Sequence, residues 1–178
     1  MRMLTSLLLV FACGLSAAEV VDKVAIVVER TAITDRQIRQ EILHSSFLNG
    51  QQPQFNAEAR KQAASRLIDQ ELIHREMRNG GYPEAIPEQA LQLFGQLKGR
   101  YSGDAAFRQT LMEQGIDEQE LMRRLEWQAA VLSFVSKRFS ATVTTPSSGP
   151  DDINESFFGW LDTTRKDTRI EYRSEDLK

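Results

Sequence analysis

From Val20 to Val28 the chain alternates. Val20, Asp22, Val24, Ile26 and Val28 fall on one face and Val21, Lys23, Ala25, Val27 and Glu29 on the other, the period of an extended strand. One strand alone is not stable, so the pattern demands a partner elsewhere. The next residues, ERTAIT from Glu29 to Thr34, read as a tight turn. Thr34-Asp35-Arg36-Gln37 fits a capping box, in which Thr34 and Gln37 satisfy backbone N–H groups reciprocally. A helix follows to about Leu48, with Ile38, Ile42 and Leu43 on its apolar face, and Asn49, Gly50 and Pro53 end it.

The apolar spacing then changes to three and four and stays there. Asn56 is placed to cap a second helix that closes at Gly80-Gly81, with Ala64, Leu67, Ile68, Leu72 and Met77 as its buried stripe. Pro83 and Pro87 bracket a turn, and Pro87 opens a third helix carrying Leu91, Leu93, Phe94 and Leu97 up to Gly99. Asp104 is expected to cap a fourth, with Phe107, Leu111 and Met112, closed by Gly115. Asp117 caps the longest, which runs to about Arg138 and spans roughly 33 Å at 1.5 Å per residue. That helix is apolar in two directions: Leu121, Leu125, Leu132, Val135 and Phe139 form one stripe, and Trp127, Val131 and Phe134 a second. It therefore has neighbours on both sides, or presents one side to something else.

Ser140–Asp152 reads as a linker of Ser, Thr, Pro and Gly. Ile153 to about Leu161 is a short helix with Phe157, Phe158, Trp160 and Leu161, and TRIEYRSE alternates again, with Ile170 and Tyr172 on one face. Thr168–Tyr172 is the partner that Val20–Val28 requires. The pattern thus predicts a mainly α fold whose two ends meet in a small antiparallel sheet of two or three strands.

Composition changes this picture in one place. The 178 residues, 41% hydrophobic and 26% charged, suit one globular domain. The first eighteen residues stand apart: Arg2 is a positive n-region, Leu4–Leu15 an apolar run too short to span a bilayer, and Ser16-Ala17-Ala18 the small residues a signal peptidase reads. Cleavage is expected between Ala18 and Glu19, leaving a mature chain in the periplasm. The one cysteine, Cys13, raises a rival reading as a lipidation site, against which bulky Phe11 counts. Removing Arg2 takes the formal charge from −3 to −4, a mild acidity that argues against nucleic acid as a partner.

Side chains that carry chemistry are sparse. His44 and His74 each sit alone on a helix without a zinc-binding pattern, and read as partly exposed helical histidines. Glu58, Asp69, Glu71 and Glu76 alternate with Arg60, Lys61, Arg66, Arg75 and Arg78 as surface pairing four residues apart produces. Gly80-Gly81 and Gly95–Gly103 lack the Lys-Ser/Thr ending of a phosphate loop. No catalytic residue, metal, nucleotide or other cofactor is called for.

The segments VVDKVAIVVERTAITDRQIRQEI, ASRLIDQELIHREMRNGGY and FRQTLMEQGIDEQELMRRLEWQAAVLSFV, behind a signal peptide, resemble the N-terminal domain of SurA-type periplasmic chaperones, a family that includes parvulin-type prolyl isomerases. RLIDQELI is the most specific phrase, together with Leu111, Glu113-Gln114-Gly115-Ile116-Asp117, Leu121 and Leu125; the likeness spans about residues 20–139. FFGWLDTTRKDTRIEY is similar to the helix and strand that close the core of such chaperones. The resemblance implies a trigger-factor-like helical cradle that holds unfolded outer-membrane proteins in transit without ATP. It also implies a division into a signal peptide (1–18), a helical chaperone domain (19–139), a linker where parvulin domains are usually inserted (140–152) and a closing helix and strand (153–178). That linker is too short for an isomerase domain, and the histidines and Gly-Gly-Asp-Leu segment of parvulins are missing.

Three readings follow. In the first the chain is a periplasmic holdase whose partners are unfolded exported polypeptides, contacted by Trp127, Val131 and Phe134 with Phe94 and Tyr101; the bland counterpart is that Phe157, Phe158 and Trp160 cover that stripe and make it core. The second is a remnant prolyl isomerase or its non-catalytic subunit. The third is a structural adaptor, or a homodimer exchanging its terminal strands.

Overall fold

The computed structural model describes residues 22–140 and 150–178. Cys13, the cleavage site at Ala18 and Glu19, Val20–Val21 and most of the linker lie outside the described residues. Two strands, β1 (Val24–Val28) and β2 (Thr31–Thr34), precede five helices: α1 (Asp35–Leu48), α2 (Ala57–Asn79), α3 (Pro87–Lys98), α4 (Asp104–Gln114) and α5 (Glu118–Phe139). A sixth helix, α6 (Pro150–Asp167), a third strand, β3 (Ile170–Tyr172), and a 3-10 turn at Glu175–Leu177 complete the described order. The fold is mainly α with a three-stranded antiparallel sheet in the order β2-β1-β3.

The strand at the opposite end of the chain does pair with β1, in the register Val28↔Ile170, Val27↔Glu171, Ile26↔Tyr172. ERTAIT, read from sequence as a turn, is instead a hairpin: only Glu29 and Arg30 turn, and Val28 already faces Thr31 across β1–β2. Thr31 and Ile33, a β-branched pair with Ile33 buried, make a short edge strand that the absence of Gly or Asn at the turn concealed. Glu29 takes the left-handed φ of +54° itself, at a cost of roughly 1–2 kcal/mol for a non-glycine residue. It is held there because its N–H donates to the Arg169 carbonyl (2.9 Å) while its carboxylate accepts from the Arg169 N–H (3.2 Å).

The simple alternation of β1 is broken by a bulge between Val24 and Ile26. Ala25 joins Ile26 and Val28 in the core, whereas Val24 is exposed. The freed Ala25 carbonyl accepts from the N–H groups of both Arg173 and Ser174, which anchors the chain leaving β3.

The expected capping box of α1 is present in both directions, between Thr34 and Gln37. The chain before β1 adds two more partners for the orphan N–H groups of this first turn. Asp35 N–H donates to the Lys23 carbonyl and Arg36 N–H to the Asp22 carboxylate. Asn56 and Asp117 cap α2 and α5 as their positions require, and Gly81 (φ +67°) and Gly115 (φ +66°) turn the chain out of α2 and α4. Asp104 is not a cap: the preceding Gly103 holds that place, and Asp104 stands in the first turn, where Lys98 lies 2.9 Å away and holds its carboxyl below the usual range. Met112 and Leu91, read as apolar-face residues, are exposed.

Two hydrophobic cores form among the described residues. The larger joins Ile26, Val28 and Ile33 of the sheet to α2 through Ile68, Leu72 and Met77, to Phe134 and Phe139 of α5, and to Phe157 and Leu161 of α6. The smaller collects Phe47, Leu97, Phe107, Leu111, Ile116 and Leu121. Helix α5 runs from one to the other. Helix α6 is longer than the sequence suggests at both ends, since Pro150 is acceptable in the first turn. Its buried face is Phe157 and Leu161 with Ile153 and Trp160 beside them, while Phe158 points outward.

Candidate functional site

The two apolar directions of α5 have different fates along its length. Phe134 is 1% exposed, packed edge-on against Tyr82 (5.0 Å between centroids), Phe139 (5.9 Å) and Trp160 (6.0 Å). Each such pair adds about 0.5–1.5 kcal/mol beyond area burial. The closing helix therefore covers the C-terminal part of the second stripe, and Phe134 is core. Val131 and Trp127, one and two turns earlier, are only partly buried against that core. Leu132, from the other stripe, is 58% exposed.

These three residues come together at the seam between the two cores. With Leu48 from the end of α1 and Ile73 from α2, they line an open, mainly apolar cleft of about 220 Å³, edged by Gln70, Arg124 and Gln128. Leu121, near the start of α5, packs into the smaller core with Leu97 of α3 and Phe107 and Leu111 of α4, Phe134 and Phe139 near its end pack into the larger core with α6, and the cleft falls between these two sets. Trp127 is fixed from beneath by His74, whose ring stacks on the indole 3.8 Å away and 8° from parallel. Nδ1 of His74 lies 3.4 Å from the Glu84 carboxylate, and burial keeps the imidazole's pKa below its ordinary value of 6.5 despite that neighbour.

The other two residues singled out from sequence sit elsewhere. Phe94 and Tyr101 are half-buried and pack edge-on against Phe107, with Tyr101 also stacked on Phe47. They wall the smaller core and do not line the cleft.

Beside the cleft lies a feature the sequence reading missed. Glu41 is fully buried, and its carboxylate accepts from Arg66 Nε at 2.7 Å and from Arg124 at 2.6 and 2.9 Å. Arg66 also donates to Ser45 (3.1 Å), and Gln70 reaches Glu41 at 3.4 Å. One carboxylate thus ties α1, α2 and α5 together. The signal was present: Glu41 falls three residues after Ile38 and next to Ile42, on the face of α1 that is otherwise buried. His44, expected to be partly exposed, lies one turn further and is 9% exposed; burial and the Arg124 charge lower its pKa.

Nor do the charges of α2 form mainly four-residue pairs along one helix. Arg66 goes to α1, Asp69 pairs with Arg165 of α6 (3.0 Å), Glu76 with Arg138 of α5 (3.5 Å), and Arg75 donates to Thr168 (2.9 Å). A central helix with neighbours on several sides meets opposite charges from them more directly than from its own next turn.

Among the described residues no helix is long and apolar enough to cross a membrane. No protein-family model matches this chain, and no curated protein matches it significantly.

Proposed function

We propose that this chain is an ATP-independent holdase of the periplasm that binds unfolded exported polypeptides, outer-membrane proteins among them, through the seam of α5. The observation that carries the reading is the group Trp127, Val131 and Leu132, apolar side chains that meet in one open cleft in the middle of the 22-residue helix α5, the first two partly buried and Leu132 exposed. Isolated exposed apolar side chains are ordinary, but a cleft that gathers several of them beside polar edges is the surface an unfolded chain needs. The volume supports the same class of ligand: about 220 Å³ is below the roughly 300–1,000 Å³ of small-molecule sites, and suits one or two side chains of a passing segment.

The test is suppression of aggregation of a denatured outer-membrane barrel diluted into buffer. The wild-type chain is expected to suppress it near stoichiometric ratio. Leu132→Asp, at an exposed position, should keep the helical circular dichroism and thermal midpoint of the wild type yet lose most of the suppression. Wild-type chain without effect on aggregation removes the proposal.

A further inference from the structure

The apolar cleft continues into a second of about 280 Å³, which shares Leu48, Arg124 and Gln128 with it and adds Arg66 and Arg100. Three guanidinium groups line this second cleft, and Glu41 is the one carboxylate among its lining residues. Glu41 is taken by Arg66 and Arg124. Arg100 donates to the Leu48 carbonyl at 3.1 Å and has no carboxylate partner among the described residues. In a chain whose formal charge is −3, an open cleft with this excess of positive charge is a local feature.

We propose that the joined clefts recognise a segment in which an apolar side chain is followed closely by Asp or Glu, the apolar group against Trp127, Val131 and Leu132 and the carboxylate against Arg100 and Arg124. This rests on the chaperone reading and narrows it to a class of client sequence. Arg100, with one N–H on the Leu48 carbonyl, has a guanidinium edge left to hold a carboxylate by two parallel bonds, whereas both terminal nitrogens of Arg124 already bond Glu41 and it can add only its remaining N–H groups. Arg124 is already oriented by Glu41, so its side chain loses little freedom on binding. Both clefts are open to solvent, so the side-chain carboxylate of an internal segment can reach Arg100 without a chain end being inserted.

Fluorescence anisotropy with labelled peptides separates the two levels. Three end-blocked or matched decapeptides share a Leu-Val-Leu centre: one followed by Glu, one with Gln in its place, and one with Gln and a free C-terminal carboxylate. The Glu peptide should bind the wild-type chain about tenfold tighter than the Gln peptide at low salt, the worth of one charge-assisted contact. The gap should shrink at high salt, and in Arg100→Gln it should shrink while the affinity of the Gln peptide is unchanged. Equal binding of the Glu and Gln peptides overturns acid selection and leaves the apolar groove standing. Preference for the free terminus, or a Glu preference untouched by Arg100→Gln, also overturns it. Failure of all three peptides to bind, with no suppression of aggregation, brings down the chaperone reading as well.

Discussion

Glu41 does the work of a fastener. Its charge is tolerable inside the protein because two guanidinium groups and an amide reach it from other helices, so that little of its hydrogen-bonding capacity is wasted. Glu41→Gln keeps the volume, removes the charge and leaves Arg66 and Arg124 facing each other. It should cost about 3 kcal/mol of unfolding free energy, read from the midpoint of urea denaturation at unchanged slope; a loss near zero would mean that water screens the pair. The histidines give a second expectation at this scale. Burial lowers the pKa of both His44 and His74, so between those lowered values and about 6.5 the unfolded chain binds more protons than the folded one. Stability from the neutral rings is complete above pH 6.5 and is lost as pH falls through that window. The thermal midpoint should drop between pH 7.5 and 5.5, and the drop should be smaller in His44→Gln; equal drops in the two proteins would count against His44 as a source. Both histidines and Glu41 are visible in the sequence as residues, but their surroundings come from afar: the arginines that hold Glu41 lie 25 and 83 positions away, and His74 stacks on Trp127 of another helix.

At the scale of elements, local rules carried far. The capping box at Thr34, the caps at Asn56 and Asp117, Pro87 at a helix start and the exit glycines all act within a turn or two, and each is where those rules put it. The hairpin was hidden because its turn uses Glu29 where glycine is usual, and the strain is offset by β3, a strand some 140 residues away. That dependence makes the clasp testable. Ile170→Asp places a charge opposite Val28 against the core and should speed hydrogen exchange at the Glu29 amide, which donates to the Arg169 carbonyl. If protection at Glu29 is the same in the variant, β3 does not hold β1.

For the whole molecule, the decisive feature is that α5 serves two cores. Its two stripes were legible, because a helix repeats every 3.6 residues whatever surrounds it. Which side chains on those stripes remain open was not. Phe134 is core because Trp160 and Tyr82 close over it, while Trp127 stays at the seam, although both lie on one stripe. Leu132 belongs to the stripe of buried Leu121 and Leu125 and is exposed, as it packs into neither of the two cores. By itself the sequence determined the helices, their caps and the need for two distant strands to meet, since these follow from short-range backbone bonding and periodicity. Only the tertiary structure decided which apolar residues are left uncovered and which charges are buried. Burial is set by what packs on the far side of a residue, and that neighbour comes from elsewhere in the chain.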